Sequence, residues 1–219
     1  MQTRQQIIKQ VGATVNSVKA LLRSVGVEIK KSEWAKPSGW ERLLEQPVIP
    51  IWMKPLLYVL RKVWEFQQQV RQDLDAIVAA ELSRWPEAEV VQEVPGYGPI
   101  VTMAVLSGVD DINRFKRSNQ LASYAGLVPS SRDSGGIQRR GGITRQGRGL
   151  MRYLTVQAAW AAMRSRALTP SLQKWAKRLL VKRGRAVAAV ALARRLLVLV
   201  YRLLKNGEAY NPTYPVVAS

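Results

Sequence analysis

Apolar residues recur every three or four positions along the first 25 residues, which is the spacing of one helix face. This pattern predicts a helix over 4–25, and Gly26 stands where a glycine commonly ends a helix. Residues 31–55 hold four prolines among mixed polar residues and predict a linker with short turns. The apolar positions of the first helix are Ile7, Val11, Val15, Val18, Leu21 and Leu22.

A longer helix is predicted over 56–84, where the apolar positions advance by four and three residues in turn. Such a seam is typical of a coiled coil that joins two copies of a chain. A helix that packs within its own domain, against 4–25, would show the same spacing. The pattern therefore leaves self-association and internal packing as alternatives. The seam consists of Leu56, Leu60, Val63, Gln67, Val70, Leu74 and Ile77, with Gln67 as its polar member.

Short helical segments separated by glycine and proline fill the rest of the chain. Ser118 is expected to cap one of these helices, and Gly126 to end it. Residues 127–147 are rich in Gly, Ser and Arg and predict a loop, with a short hairpin as the alternative. We therefore expect a mainly α fold, with a helical, coiled-coil-like region at 1–85 and a helical domain at 86–219. The helices predicted in this domain cover 86–94, 100–106, 119–125, 148–167, 171–182 and 185–206.

Positive charge is concentrated in the second part of the chain. The protein has 219 residues and a net charge of +19. Residues 1–100 contain 13 Lys and Arg against 11 Asp and Glu, whereas residues 101–219 contain 21 against 4. No acid occurs between Asp133 and Glu208. A field of one sign over this length favours a surface that binds nucleic acid.

The composition also excludes several kinds of chemistry. The chain has no cysteine and no histidine, which removes disulfides, thiolate chemistry and the commonest zinc ligands. Its most apolar run, 186–204, is interrupted by Arg194, Arg195 and Arg202. That run predicts core packing with a basic outer face rather than a membrane span. We expect a cytoplasmic protein that does not associate with membranes.

Two segments have the composition of phosphate-binding loops. The string Pro95-Gly96-Tyr97-Gly98 lies between two predicted helices, so its backbone could approach a phosphate and the next helix N-terminus could face it. This arrangement resembles a helix-hairpin-helix DNA-backbone motif, and a tight turn in a helical bundle is the alternative. The second segment alternates arginine with glycine, which combines forked donors with an open backbone. It contains Arg139, Arg140, Arg145 and Arg148, with Arg152 shortly after.

A serine precedes paired glycines just before this basic stretch, as Ser134-Gly135-Gly136. Such glycines can expose the serine hydroxyl and leave room for a phosphodiester. A serine hydroxyl is a weak nucleophile without an activating group. On local sequence alone, the Ser-Gly-Gly string is therefore weak evidence for catalysis.

Taken together, these strings resemble the C-terminal domain of one insertion-sequence transposase family. The family comprises the DEDD transposases related to the Piv invertase, which are also described as bridge-RNA-guided recombinases. The resemblance is densest over 90–206, and the helices of 4–85 resemble the region that precedes that domain. The strings are Pro95 to Gly98, Leu121 to Pro129, Ser134 to Gly136, Gly141 to Gly147, and Arg152.

The resemblance implies that a serine attacks the DNA backbone and forms a covalent phosphoserine link, and Ser134 matches that serine. It implies nucleic-acid contacts for Arg139, Arg140, Arg145 and Arg152. The residue patterns themselves favour the same role for Gly96, Tyr97, Gly98, Gly135, Gly136 and Arg148. It also implies a noncoding guide RNA, work as a homo-oligomer through the coiled coil, and a RuvC-like domain whose four acids bind divalent metal such as Mg²⁺.

Some residues depart from the family pattern. Asp133 stands where the family often has a further serine, and Arg148 where it usually has Asn. We find no metal-binding tetrad in the 219 residues, so we expect the chain to lack the RuvC-like domain, to bind no metal and to be catalytically incomplete alone. A nucleic-acid-binding remnant without catalysis is the alternative function. A basic membrane-surface or RNA-packaging protein is a third.

Overall fold

The computed structural model describes residues 1–28, 30, 36–134, 137–143 and 146–211. Helices dominate this part of the chain, and β1 and β2 pair as a two-stranded antiparallel sheet. The predicted mainly α class is confirmed. The helices are α1 Gln2–Ser24, α2 Pro37–Glu45, α3 Lys54–Leu82, α4 Glu87–Gln92, α5 Pro99–Val109, α6 Ser118–Tyr124, α7 Gly149–Arg164, α8 Pro170–Arg183 and α9 Arg185–Asn206; the strands are β1 Pro129–Ser134 and β2 Ile137–Ile143.

The chain forms two compact units, Met1–Ile77 and Val78–Ser219. The boundary predicted from sequence lies between residues 85 and 86. Helices cross a lipid bilayer only when they carry a long apolar stretch, and no described helix meets that requirement.

The first unit has a core of apolar side chains from α1, α2 and the start of α3. Val18 and Leu22 of α1 and Leu57 of α3 are at most 1% exposed. Gly26 adopts a φ of +73° after α1, so the predicted end of that helix is confirmed. The remaining members of this cluster are Val15, Val27, Trp40, Leu43, Ile49, Met53 and Trp64.

The predicted linker over 31–55 is wrong for its middle part, which forms α2. Pro37 is the first residue of this helix, where its fixed φ and missing N–H are both tolerated. Trp40 and Leu43 are buried at 0% and 1% exposure. A second short segment, Ile51–Met53, is a 3₁₀ helix. The prolines here therefore begin helical turns rather than exclude them.

Helix α3 has two apolar faces, and the predicted seam is divided between them. Leu57, Leu60 and Trp64 pack into the core of the first unit, and Gln67 accepts a hydrogen bond of 3.0 Å from the Thr14 hydroxyl of α1. Packing of this helix within its own unit is therefore observed. An outer stripe begins in the preceding 3₁₀ helix and continues along the other face of α3. Its exposed members are Trp52 in the 3₁₀ helix and Leu56, Val59, Val63, Phe66 and Ile77 in α3, at 39% to 70% exposure.

The second unit is built around α9, which contacts α4, α6, α7, α8 and the 3₁₀ turn Ile112–Arg114. Small residues of α9 and α7 are fully buried, including Ala189 and Ala159, which lets helix backbones approach closely. The predicted core role of the last helix is confirmed by its leucines. Leu192, Leu196, Leu199 and Leu203 are between 0% and 6% exposed.

Helix α6 begins differently from the prediction. Ser118 is its first helical residue and Arg117 occupies the capping position. The Gln120 side chain reaches back and accepts a hydrogen bond of 2.7 Å from the Lys116 amide. The predicted end at Gly126 is confirmed by its φ of +69°.

Candidate nucleic-acid site

Strands β1 and β2 pair as an antiparallel hairpin between α6 and α7. Ser134 lies opposite Ile137, Arg132 opposite Arg139, and Ser131 opposite Arg140. The serine is therefore at the distal end of the hairpin, with two of the predicted basic residues on the returning strand. Only the backbone of Ser134, Arg139 and Arg140 is described. Gly135, Gly136 and Arg145 lie outside the described residues.

The two ends of the hairpin meet at a glycine neck formed by Gly126 and Gly147. Both glycines have positive φ, +69° and +113°. A Cβ on Gly126 would lie 2.4 Å from the Gln146 carbonyl oxygen, and one on Gly147 would lie 2.2 Å from the Tyr124 carbonyl oxygen. The Arg148 amide donates a hydrogen bond of 3.1 Å to that same oxygen of Tyr124. These two positions therefore accept only glycine without a backbone shift.

The side chain of Arg152 is part of this neck. Its Nη1 would be 2.5 Å from a Cβ on Gly126, and its Nη2 would be 3.6 Å from a Cβ on Gly149. Arg152 is half-buried. The Arg152 guanidinium therefore lies beside Gly126 and Gly149, where the hairpin joins the helices, and it packs within the neck.

A cluster of two arginines and one tyrosine lies beside the neck. The Arg148 Nε donates a hydrogen bond of 2.6 Å to the Tyr124 hydroxyl. The Arg114 guanidinium carbon lies 4.8 Å from the centre of the Tyr124 ring and 4.9 Å from that of Phe115. The Phe115 and Tyr124 rings meet edge to face at 5.4 Å. We call Arg114, Tyr124 and Arg148 the Arg-Tyr-Arg cluster.

The pKa of Tyr124 is lowered from the usual value of a phenol. Partial burial acts to raise this pKa, and hydrogen bonds and charge from Arg148 and Arg114 together outweigh that effect. Both guanidinium groups therefore act on one phenolic oxygen. The arginines themselves are exposed to solvent.

Helix α9 holds the segment that carries this cluster. The Tyr201 hydroxyl donates a hydrogen bond of 3.0 Å to the Phe115 carbonyl, and Lys205 donates one of 2.8 Å to the Asn113 side chain. Arg194 donates one of 3.1 Å to the side chain of Asn119 in α6. The segment around the cluster is therefore hydrogen-bonded to α9, the central helix of the second unit.

The residues of the Pro-Gly-Tyr-Gly string differ in burial. Gly96 has a φ of +89°, and a Cβ there would lie 2.1 Å from the Ala158 carbonyl oxygen of α7. Tyr97 is 2% exposed, and burial raises the pKa of its hydroxyl. Gly98 is exposed at the N-terminus of α5, with open space around its Cα. Within this string, Gly98 is open to solvent, whereas Gly96 and Tyr97 contribute to the core.

The described acids are not grouped for metal binding. Among residues 1–28, 30, 36–134, 137–143 and 146–211, no three His, Cys, Asp or Glu side chains lie close enough to hold a metal ion. These residues therefore do not fit the divalent metal that the resemblance implies. Ion pairs bring acids and bases together in the first part of the chain, at Arg4–Asp75, Arg61–Glu41, Arg61–Glu65 and Arg84–Glu81.

The structure brings together residues that are distant in sequence. Arg148 was predicted, and it lies beside the neck with Arg152. Arg114 and Tyr124 were missed, because no spacing rule links position 114 to position 148. One sequence signal for Arg114 is its place in a basic run just before α6. This run follows Asp110 and Asp111, and Asp133 is the only acid between it and Glu208.

Residues 88–176 match the model of the Transposase IS116/IS110/IS902 family. This segment includes α5, the glycine neck, the hairpin and the Arg-Tyr-Arg cluster. The match supports a C-terminal transposase region of that family over this part of the chain.

Curated relatives extend the similarity to most of the chain. The transposase for insertion sequence element IS1111A of Coxiella burnetii is 27% identical over 214 residues, covering 96% of this chain and 59% of that protein. The transposase for IS1328 of Yersinia enterocolitica is 22% identical over 95% of this chain and 62% of its own length. An uncharacterized 44.8 kDa protein of insertion element IS116 from Streptomyces clavuligerus is 33% identical over 135 residues, 59% of this chain and 32% of its own. The chain thus spans about three fifths of the first two relatives.

Proposed function

We propose that this chain is the part of an insertion-sequence transposase that binds DNA and supplies a serine nucleophile for strand exchange. The match of residues 88–176 to a transposase family carries this proposal. The relatives named as transposases add support, because they align with nearly the whole chain. The basic second half gives the expected attraction for the DNA backbone.

Ser134 is the nucleophile in this proposal. Its hydroxyl oxygen would form a bond to the phosphorus of a phosphodiester, while the bond from phosphorus to a sugar oxygen breaks. The hydroxyl proton passes to the displaced sugar oxygen, so the reaction is a transesterification that conserves the phosphodiester linkage. Placement at the distal end of the hairpin supports this role, since a backbone substrate can approach the end of a hairpin.

Activation of the serine would require groups from outside these 219 residues. The described acids form no metal cluster, and the chain contains no histidine. We propose that a RuvC-like domain supplies the acids and that a noncoding guide RNA selects the DNA. Alone, the chain would then bind nucleic acid without cutting it.

A second copy of the chain is the proposed partner of the outer stripe on α3. Its members follow steps of four and three residues from Trp52 to Phe66, as in a coiled coil. Phe66 is 70% exposed and Val59 57%. A groove of about 630 Å³ between α1 and α3 adjoins this stripe and is lined by Leu60, Val63 and Phe66. One such face on each copy would form a symmetric interface.

Binding to nucleic acid is tested by titrating the protein against a labelled DNA duplex and a structured RNA at several salt concentrations. About six phosphate contacts give a slope near −5 in a plot of log affinity against log salt. A slope close to zero would show that charge does not drive binding and would remove the basis of the proposal.

Catalysis is tested with Ser134→Ala in cells that also express a RuvC-like domain of a related transposase. Recombination should be lost, with DNA binding unchanged. Ser131→Ala, in the same strand, is the matched control and should retain recombination. Equal recombination by both variants would instead support the alternative function, a nucleic-acid-binding protein without catalysis.

A further inference from the structure

We propose that the Arg-Tyr-Arg cluster is a phosphodiester clamp, in which Tyr124 holds the guanidinium groups of Arg114 and Arg148 in position for one nucleic-acid phosphate. This inference rests on the proposed function, which predicts nucleic-acid binding without assigning a role to Arg114 or Tyr124. Tyr124 is a positioning residue here, since it acts through the two arginines.

The geometry of the cluster supports preorganised binding. Arg148 uses its Nε to bond the Tyr124 hydroxyl at 2.6 Å, which fixes the plane of its guanidinium. Arg114 stacks against both the Tyr124 and the Phe115 ring, at 4.8 Å and 4.9 Å from their centres. Arginines held in this way lose less side-chain entropy when they bind an anion. Both guanidinium carbons lie within 6 Å of the centre of the Tyr124 ring, at 4.8 Å for Arg114 and 5.6 Å for Arg148, and forked donors suit phosphate oxygens.

Charge at the cluster favours an anion as well. The pKa of Tyr124 is lowered: burial acts to raise it, but the hydrogen bonds from Arg148 and Arg114 have the larger combined effect. The phenol therefore lies in a positive field. Of the two acids just before Arg114, Asp111 already accepts a hydrogen bond of 2.8 Å from the Asn113 amide. Helix α7 begins at Gly149, directly after Arg148, so its positive N-terminal end adds to the same field.

The position of the clamp shows which phosphate it would bind. It lies at the glycine neck, and the chain then runs from Leu127 along β1 to Ser134. At about 3.3 Å per residue, this distance is roughly 23 Å. A B-DNA strand advances about 3.4 Å per nucleotide, so such a distance spans about seven nucleotides. The clamp would therefore hold a flanking phosphate and set the register of the strand that reaches the serine.

The test measures affinity and salt dependence for a labelled DNA duplex and a structured RNA, using the full chain. Arg114→Gln and Arg148→Gln should each lower the slope against log salt by about 0.9 and weaken binding about eightfold at 0.1 M salt. Arg84→Gln is the control with the same charge change in the same unit, because Glu81 already pairs with Arg84 at 3.0 Å. It should leave both values unchanged.

Conservative variants separate positioning from charge and from folding. Tyr124→Phe keeps the ring and both arginines but removes the oxygen that accepts the hydrogen bond from Arg148, and Arg148→Lys keeps the charge without the fork. Both should weaken binding several-fold while the salt slope stays at the wild-type value. Melting temperatures should remain unchanged, because the hydroxyl bonds an exposed side chain.

The outcomes distinguish this inference from the proposed function. If the cluster variants lose affinity for DNA or for RNA while Arg84→Gln does not, the result supports the clamp and identifies the nucleic acid that it holds. If the wild-type chain binds nucleic acid and every cluster variant binds as tightly as Arg84→Gln, the clamp is overturned and the proposed function stands. A wild-type chain that binds neither DNA nor RNA overturns both.

Discussion

Replacing Gly96 with alanine is expected to destabilise the unit of residues 78–219 by about 3 kcal/mol. The residue has a φ of +89°, and an added Cβ would lie 2.1 Å from the Ala158 carbonyl oxygen and 2.8 Å from its carbon. A side chain in a left-handed conformation costs about 1–2 kcal/mol. Shifting packed helix backbone to relieve such an overlap adds about 1–3 kcal/mol. The resulting fall in melting temperature is about 10 °C for a unit of this size.

Gly98→Ala is the matched control, two residues away in the same string. Gly98 has a φ of −76° and no atom within 4 Å of an added Cβ, so alanine should change stability by less than about 0.5 kcal/mol. Both variants are followed by circular dichroism during heating and urea denaturation. A Gly96→Ala variant as stable as Gly98→Ala would refute the inference that Gly96 is required for packing against α7.

Four further predictions concern single side chains. Tyr97→Phe should raise stability by about 1 kcal/mol in urea denaturation, since the Tyr97 hydroxyl is buried without a hydrogen-bond partner among the described residues; lower stability would reveal a partner. During alkaline titration followed by tyrosinate absorbance, Tyr124 should ionise below the usual pH range of a phenol, because its pKa is lowered, and Tyr124→Phe should remove that step. The pKa of Tyr97 is raised by burial, so the unfolded chain releases this proton first and stability should fall as pH rises above about 10. Phe66→Glu should convert a self-associating protein to monomer in light scattering without lowering its melting temperature, whereas Gln72→Glu, at another exposed position of α3, should leave association unchanged.

Periodicity predicted the helices well because each buries one face. The leucines of α9 recur every three or four residues and are buried as expected. Helix α2 is not predicted, because four prolines among polar residues over 31–55 are typical of a linker, whereas a proline at the first helical position is favourable. The heptad spacing predicts one apolar seam on α3, whereas the structure shows two apolar faces. A helix with two apolar faces contains overlapping seams, and spacing alone does not show which side packs internally.

The candidate site was less accessible from sequence, because its geometry depends on contacts between distant segments. Glycines at 96, 126 and 147 could serve either a phosphate or a neighbouring backbone. Only the distance from Gly96 to Ala158, and from Gly147 to Tyr124, identifies packing. Tyr97 was assigned to the nucleic-acid surface, and its 2% exposure places its side chain in the core. The assignments of Ser134 and of the hairpin arginines stay predictions.

The glycine neck allows the hairpin to change without disturbing the helices that carry it. The backbone bond between Tyr124 and Arg148 closes the junction whatever the length of the segment beyond it. Closing a flexible loop costs only about 0.6 kcal/mol more for each doubling of its length. We therefore expect the segment between Gly126 and Gly147 to tolerate insertions and deletions with little change in the stability of the helices that carry it.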